Sequence, residues 1–252
     1  MPGPIQAIER AAAVLQLLAR GRLGLGDIAA SLNLPKGTAH GILRTLRTVG
    51  FVEQDRTSGT YRLGAALLHL GTSYLDANEL RSRAINWADA LAARSGEAVR
   101  IGMHLEGNVL VVHHVFRPDD TPQTLDVGAL LPLHATALGK VLLAYDATVA
   151  GPLMQRRLVS FTRRTIIAPV ELARALGEVR SRGWASEAEE YLPGEAAIAG
   201  PIRGHGGLVL GAIGVSGAVD RVLDSSQRPR AGLVAQVSDA ARAVSRDLDD
   251  TG

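Results

Sequence analysis

The spacing of apolar side chains changes within the first 64 residues of the chain. Apolar residues first recur at three- and four-residue steps in three runs, at about residues 5–19, 26–32 and 35–50, which predicts three amphipathic helices. Two short runs with alternating side chains follow, at residues 51–54 and 60–63, and they predict a β-hairpin. Three helices followed by a hairpin indicate a winged helix-turn-helix, a compact DNA-binding architecture.

The first helix is predicted to bury one apolar stripe, and the third helix to expose one polar face. The stripe consists of Ile5, Ile8, Ala12, Leu15 and Leu18. In a helix-turn-helix the second helix of the pair lies in the major groove, and here that helix follows the break at residues 33–35. The candidate DNA-binding residues lie on that helix and on the hairpin loop: Lys36, Gly37, Thr38, His40, Gly41, Arg44, Arg47 and Arg56.

Charge is distributed unevenly along the chain, although the formal net charge is only +2. Residues 1–75 carry eight basic side chains against four acidic ones, and no Asp or Glu occurs between Ile28 and Val52. A basic stretch without acids indicates contact with a polyanion, and a hydroxyl such as that of Thr38 near a helix N-terminus suits a phosphate. The competing interpretation is a basic face that is only solvated.

Length and composition limit the remaining possibilities. A chain of 252 residues with 46% hydrophobic and 21% charged residues is large enough for one or two globular domains. It has no cysteine, which excludes disulfides and cysteine-ligated zinc. No segment approaches 18 uninterrupted apolar residues, and the first twenty residues contain Glu9 and Arg10, so the sequence predicts a cytoplasmic protein without a membrane span.

After the hairpin, a short apolar seam predicts a linker helix at residues 65–78. The seam is formed by Leu63, Leu67, Leu70 and Tyr74, which are spaced by four, three and four residues. Pairing with a second subunit is one explanation for the seam, and packing against the chain's own C-terminal domain is the other.

The remaining residues, 79–252, mix alternating and helical patterns. Helices are predicted at about 79–95, 134–144, 169–182 and 227–248, and strands at about 98–105, 109–116, 123–127, 196–202 and 208–216. Strands and helices in this order favour an antiparallel sheet covered by helices, so the chain as a whole is predicted to be an α+β protein.

Several segments resemble the IclR family of bacterial transcription regulators. They are ERAAAVLQLLA at residues 9–19, DIAASLNLPKGTAHGILRTLRTVGFVEQD at 27–55, LPLHATALGKVLLA at 131–144, RGWASEAEEYLPGEAAIAGPI at 182–202 and GAIGVSGAVDR at 211–221. The resemblance therefore spans nearly the whole chain. Within the family, the runs KGTAHGILRTL, VHHVFRPDD and PLHATALGK are most similar to the glycerol-operon regulators of actinomycetes.

The resemblance implies a domain organisation and a set of partners. It implies a winged helix-turn-helix domain at residues 1–64, a linker helix at 65–78 and a GAF-like effector-binding domain at 79–252. The expected partners are double-stranded operator DNA and further copies of the chain, in a homodimer or a dimer of dimers, and no cofactor or metal is expected. Many family members have arginine at the position of Gly41, so the operators of distant relatives are not expected to be shared.

The resemblance also implies a set of effector contacts. They fall on Leu131, Thr136, Ala137, Leu138, Glu187, Ala197 and Ser216. The free amides of a helix that starts near Thr136 suit a carboxylate, a phosphate or a polarised hydroxyl, whereas Glu187 favours a neutral polyol. Ala197 stands where many relatives have cysteine, and Gly214 where some have a second serine. The effector is expected to be glycerol, glycerol 3-phosphate or a small carboxylate.

An enzyme is the weakest of the competing interpretations. A metal site built from His104, His113, His114 and His134 would need adjacent strand residues, which point to opposite faces, to share one ion. The acids at positions 187, 189 and 190 have no recognisable partner acid or nucleophile. One ligand contact and two solvated charges are therefore expected there.

The sequence favours a ligand-responsive regulator that binds DNA and has no enzymatic activity. The resemblance makes it a repressor of a glycerol catabolic operon, relieved by glycerol or glycerol 3-phosphate. The alternative is a small-molecule sensor whose N-terminal domain contacts proteins rather than DNA.

Overall fold

A computed structural model of the chain describes residues 5–76, 79–119 and 123–249. The chain divides into two compact units, Met1–Ala77 and Asn78–Gly252. Within the described ranges, no helix is both long and apolar enough to cross a membrane.

The N-terminal unit contains three helices, a two-stranded antiparallel hairpin and a fourth helix. Its elements are α1 (Gln6–Leu18), α2 (Leu25–Ser31), α3 (Lys36–Thr48), β1 (Val52–Gln54), β2 (Tyr61–Leu63) and α4 (Ala65–Asp76). Their common core consists of Val14, Leu18, Ile28, Leu43, Leu46, Val52 and Tyr61. The hairpin is joined to the helices by two backbone hydrogen bonds between Leu23 and Tyr61, with N···O distances of 2.8 and 3.1 Å. The helix-turn-helix followed by a hairpin confirms the predicted architecture.

The apolar stripe predicted for α1 is wrong at its N-terminal end. Ile5 and Ile8 are 66% and 64% exposed, and Ala12 is exposed as well. The helix buries Leu18, as predicted, together with Val14, which lies outside the predicted stripe. Three- and four-residue steps fit two overlapping faces of this helix, and packing against the other helices of the unit selects the face that contains Val14.

Three residues of the seam predicted after the hairpin lie on an observed helix, α4, whereas its first residue, Leu63, is the last residue of β2. Leu67 is half-buried, whereas Leu68 and Leu70 are 70% and 53% exposed. The side chain of Tyr74 and residues 77–78 lie outside the described residues. The described part of α4 therefore presents large apolar side chains to solvent within this chain.

Two glycines of the N-terminal unit give opposite predictions for substitution by alanine. A Cβ at Gly41 in α3 would meet no described atom within 4 Å, whereas a Cβ at Gly64 would overlap the carbonyl oxygen of Gly50. We expect Gly41→Ala to raise the free energy of unfolding by about 0.5–1 kcal/mol, because alanine is the better helix former. Gly64→Ala should lower it by about 1–3 kcal/mol through overpacking. Urea unfolding of the two variants beside the parent chain measures both changes, and equal effects would contradict this prediction.

The C-terminal unit is built on one six-stranded antiparallel sheet. Its strands are β3 (Ala98–Leu105), β4 (Asn108–Val115), β5 (Leu130–Pro132), β6 (Ala185–Ala188), β7 (Glu195–Arg203) and β8 (Val209–Ala218). Its helices are α5 (Glu79–Ser95), α6 (Ala137–Tyr145), α7 (Ala147–Met154), α8 (Pro169–Arg182), α9 (Val219–Val222) and α10 (Ala231–Asp249). The strand order is β5-β4-β3-β8-β7-β6. An antiparallel sheet with helices confirms the predicted α+β class, and its GAF-like topology stays a prediction.

Helices cover both faces of this sheet, and different helices pack on each face. On one face, Gly200 lies against Val237 and Ala241 of α10, and the neighbouring helix α5 packs against α10. On the other face, Leu138 and Val141 of α6 lie in a core shared with α8 and with small residues of the sheet. The second face is the one that also contains a cavity.

The structure corrects the strand predicted at residues 123–127. This segment is not a strand, and the short strand β5 at Leu130–Pro132 pairs with β4 instead. The side chain of Gln123 exchanges hydrogen bonds with the backbone of Arg117, and the Asp126 N–H donates to Nδ1 of His114. Side chains therefore satisfy the polar groups that a strand ladder would have used.

Candidate DNA-binding face and effector cavity

The predicted DNA-binding residues lie largely at the surface of the N-terminal unit. The exposed ones are Lys36, Gly37, His40, Arg44, Arg47 and Arg56, and Thr38 and Gly41 are half-buried. The opposite side of α3 buries Ala39, Leu43 and Leu46 in the core. The helix therefore presents a basic face that carries no acidic side chain.

The first turn of α3 has backbone donors free for an anion. The helix begins after Pro35, and its first intrahelical bond runs from the Ala39 N–H to the Pro35 carbonyl at 3.0 Å. The three preceding amides, at residues 36–38, have no carbonyl acceptor within the helix. These donors and the positive end of the helix dipole suit a phosphate of DNA.

Arg47 connects the candidate recognition helix to the hairpin. Its Nη1 donates to Oε1 of Gln54 at 2.9 Å, and Nε2 of Gln54 donates to the Gly59 carbonyl in the hairpin loop at 3.2 Å. Arg44 projects from the exposed face of α3. Arg47 therefore helps to hold the hairpin beside α3, in addition to contributing positive charge.

The cavity in the C-terminal unit is built from two rows of side chains across the sheet. In one row Glu187 of β6, Ala197 of β7 and Ser216 of β8 lie side by side in register. In the next row on the same face, Gly214 of β8 lies beside Arg100 of β3. Small side chains in the middle of the rows leave room for a ligand above the sheet.

All seven residues predicted to contact an effector line this one cavity. Its volume is about 250 Å³, which is below the usual range of about 300–1,000 Å³ for drug-sized ligands and therefore suits a small metabolite. Leu131, Thr136, Ala137 and Leu138 reach it from β5 and the start of α6. Glu187, Ala197 and Ser216 reach it from the sheet. Their role in binding stays a prediction.

Thr136 has a structural role at this cavity. Its Oγ1 accepts from the Gly139 N–H at 3.1 Å and donates to the Pro132 carbonyl at 2.8 Å. It is the N-cap of α6, and its hydroxyl proton is already engaged. Thr136 can still accept a hydrogen bond from a ligand, but it is not a free donor.

Sequence reasoning missed an ion pair in the cavity wall. Nε and Nη2 of Arg100 bind Oδ2 of Asp126 at 2.7 and 2.6 Å, and Nη1 of Arg100 donates to Oγ of Ser216. The one signal in the sequence that could have found it is an arginine between the apolar residues Val99 and Ile101 of a predicted strand. The cavity therefore contains a cation whose charge is already balanced.

A second group of charges lies buried beside Glu187. Lys140 of α6 is 3% exposed, and its Nζ donates to Oε1 of Glu190 and to the Ser186 carbonyl. Oε2 of Glu187 accepts from the Glu190 N–H at 2.9 Å. The expectation that Glu190 is solvated is wrong, because Glu190 is 9% exposed and paired with Lys140.

Burial is the main cause that raises the pKa of Glu187 from 4.5 to about 7, and the nearby negative charge of Glu190 contributes to the same rise. The Glu190 N–H and Lys140 act in the opposite direction. Burial likewise raises the pKa of Glu190, against the effect of Lys140. At neutral pH, Glu187 is therefore present both as a carboxylic acid and as a carboxylate.

The raised pKa predicts that Glu187→Gln stabilises the folded chain at high pH. The folded carboxyl holds its proton more tightly than the unfolded one, so the stability it contributes below its unfolded pKa is lost as pH rises from about 4.5 through about 7. Glutamine has no such loss. The variant's advantage in free energy of unfolding should grow to roughly 3 kcal/mol at pH 8. Urea unfolding at pH 5 and pH 8 measures it, and a difference independent of pH would contradict the prediction.

Three of the four histidines considered as metal ligands, His104, His114 and His134, have other partners. Nε2 of His104 accepts from the Gly107 N–H, Nδ1 of His114 accepts from the Asp126 N–H, and Nε2 of His134 lies 2.8 Å from the Val159 carbonyl. Over the described ranges, the structure has no group of three His, Asp or Glu side chains placed to hold a metal ion.

Comparison with known families decides what kind of protein these two units form. A model described as the IclR helix-turn-helix domain matches residues 7–56, and a model described as the C-terminal domain of bacterial IclR transcriptional regulators matches residues 72–246. The chain belongs to the IclR family. It is a DNA-binding transcriptional regulator and not an enzyme, as the sequence predicted.

Individual relatives within the IclR family are similar over nearly the full chain. The glycerol operon regulatory protein of Streptomyces coelicolor is 55% identical, and the alignment covers 97% of this chain and 96% of the relative. The protein of the same name from Streptomyces griseus is 50% identical with the same coverage. The crystal structure of an IclR transcriptional regulator from Alicyclobacillus acidocaldarius has a TM-score of 0.84 and 27% identity, covering 98% of this chain and 100% of that one.

Proposed function

We propose that this IclR-family regulator represses a glycerol catabolic operon, and that glycerol or glycerol 3-phosphate relieves the repression. The observation that carries this proposal is the 55% identity, over nearly the whole chain, to a glycerol operon regulatory protein. The cavity of about 250 Å³ supports it, because a three-carbon polyol or its phosphate is small. A small carboxylate is the remaining candidate. Such a regulator works in the cytoplasm, beside the chromosome.

The DNA contacts are proposed to come from α3 and the hairpin. Arg44 and His40 are exposed on one side of α3 and would face the major groove. Lys36 and the free amides of the first turn would contact phosphate, and Arg56 would reach the backbone from the hairpin loop. The half-buried Gly41 lets the helix backbone approach the groove closely.

The regulator is proposed to work as a homodimer or a dimer of dimers. A dimer would place two copies of α3 on half-sites about one DNA turn apart or a multiple of it. Large apolar side chains are exposed at the start of α1 and on α4, and they support a contact with another copy: Ile5, which precedes α1, Ile8, Leu68 and Leu70. The effector would act by binding one arrangement of the two recognition helices more tightly than the other.

The operon assignment is tested in a strain that lacks the gene for this chain. We expect transcripts of the glycerol catabolic operon to rise in the absence of glycerol, and a plasmid copy of the gene to restore repression. Unchanged transcripts in the deletion strain would contradict repression. If the full chain fails to bind any operator fragment at low salt, while it still regulates the operon, the protein-contact alternative would replace DNA binding.

A further inference from the structure

The charges around the effector cavity determine which kind of small molecule fits it. Six ionisable side chains lie in or beside the wall. They are Glu187 on β6, Glu190 in the following turn, Lys140 on α6, Glu195 on β7, Arg100 on β3 and Asp126 in the loop before β5. Tyr191 also lines the cavity. Two of these groups are cations and four are acids.

Both cations are already bound to an acid. Arg100 holds Asp126 through two nitrogen atoms and also donates to Ser216. Lys140 holds Glu190 and the Ser186 carbonyl. A carboxylate or phosphate in this cavity would have to displace one of these partners, and it would also lie near the acids Glu187 and Glu195. The wall therefore disfavours an anionic ligand.

Of the four acids, Glu187 and Glu195 are not held by Arg100 or Lys140, and Glu187 is the more deeply buried of the two. One of its oxygens accepts from the Glu190 N–H, and the side chain is 7% exposed and lines the cavity. Lys140, Glu187 and Glu190 form one buried group. With both glutamates ionised, this group would carry a net charge of −1. A proton on Glu187 removes this charge, because Glu190 is the partner that Lys140 already holds.

We propose that the effector is an uncharged polyol whose hydroxyl groups donate to the carboxylate form of Glu187, so that binding releases a proton from this side chain to solvent. A carboxylate offers about four acceptor sites, and the Glu190 N–H occupies only one. Hydrogen bonds to an ionised acceptor are about twice as strong as neutral ones. Lys140 and Glu190 are positioning residues, since they act through Glu187. The proposal rests on the proposed function, because it names the class of ligand for the same cavity.

Equilibrium dialysis of the full chain against radiolabelled glycerol, at pH 6, 7 and 8, tests the proposal. Because only the carboxylate form binds, the Kd for glycerol should fall about tenfold between pH 6 and pH 8, with the change centred near pH 7. Glycerol 3-phosphate, run in parallel, should bind more weakly than glycerol at pH 8. Dialysis measures ligand binding without DNA. Its result is therefore independent of whether the operon assignment is correct.

Two variants distinguish proton release from a general effect of pH. Glu187→Gln should bind glycerol more weakly, with the same Kd at pH 6 and pH 8. Glu190→Gln removes one of the negative charges that raise the pKa of Glu187, while the burial that is the main cause remains. The pH at which its glycerol Kd changes should therefore lie below that of the parent chain. Circular dichroism checks that each variant is folded. If Glu190→Gln is not folded, Glu187→Gln alone tests the proposal.

Three results would overturn the proposal. The first is a glycerol Kd that does not change with pH in the parent chain. The second is glycerol 3-phosphate binding more tightly than glycerol and strengthening toward pH 6, which would make the ligand anionic and leave the proposed function intact. The third is no binding of either compound at any pH, which would contradict the proposed effectors as well, although operator binding would still support a regulator.

Discussion

Replacing Arg44 with alanine is expected to weaken operator binding at least about thirtyfold. Arg44 is exposed on α3, on the face opposite the buried Leu43 and Leu46. A contact from an arginine to a base or phosphate contributes about 1–3 kcal/mol, and a dimer would lose two of them. Because 1.4 kcal/mol corresponds to a factor of ten, the loss lies between about thirtyfold and about twenty-thousandfold.

Fluorescence anisotropy with a labelled operator fragment measures the loss. The slope of log affinity against log salt should also become shallower by about two if each Arg44 of a dimer contacts a phosphate. Arg20→Ala is the matched control, because Arg20 is an exposed arginine of the same unit outside α3, and its affinity should change little. Equal losses for Arg44→Ala and Arg20→Ala would contradict a DNA-binding role for the face of α3.

Arg47 distinguishes DNA contact from support of the hairpin. Since Arg47 binds Gln54, Arg47→Ala removes a link between α3 and the hairpin as well as a charge. Unlike Arg44→Ala, it should therefore lower both the operator affinity and the thermal midpoint of the N-terminal unit.

Filling the cavity with Ala197→Leu is expected to abolish the response to effector while operator binding persists. Ala197 lies between Glu187 and Ser216 in one row of the sheet, on the face that carries the cavity. A leucine side chain there would occupy the space above the row, where the ligand would lie. A ligand and a side chain cannot share this volume, so the apparent affinity should fall at least about a hundredfold, equivalent to about 3 kcal/mol.

The measurement is the effector concentration that releases half of the operator fragment from the full chain. Ala231→Leu is the matched control, because Ala231 is exposed at the start of α10 and does not line the cavity. Circular dichroism and the operator affinity without effector show whether each variant is folded. A normal response in Ala197→Leu would exclude this cavity as the effector site.

Local patterns predicted the elements of the chain well where one signal dominates. The helix α8 begins at Pro169 and ends before Gly183, whose φ of 81° lies in the left-handed region that favours glycine. Proline at a helix start and glycine just after its end are both readable from sequence. The helix-turn-helix was predictable for the same reason, because the break at residues 33–35 separates two strongly amphipathic runs.

Long-range pairing explains what local patterns missed. Gln123 and Asp126 lie in a segment with alternating side chains, but their polar groups bond to Arg117 and His114 rather than to a strand. The burial of Glu190 depends on Lys140, which is 50 residues away in the sequence. In the sequence, Glu190 only follows the acids Glu187 and Glu189, and this run gives no sign of a distant lysine partner.

The candidate cavity also depends on long-range contacts that the sequence pattern does not reveal. The resemblance to the IclR family named seven residues that the structure gathers around one space. It did not name Arg100, because an arginine flanked by Val99 and Ile101 in a strand suggests a solvent-facing side chain. In a sheet with helices on both faces, that side chain points into the cavity wall and pairs with Asp126.

The central claim is that a small molecule in this cavity controls the DNA affinity of the same chain. The direct test is the Kd of the full chain for a fragment of the glycerol catabolic operon promoter, measured with and without saturating glycerol and glycerol 3-phosphate. We predict that one of these compounds raises the Kd at least about fivefold, the lower end of usual allosteric coupling, in the parent chain but not in Ala197→Leu. An operator affinity that neither compound changes would contradict the account.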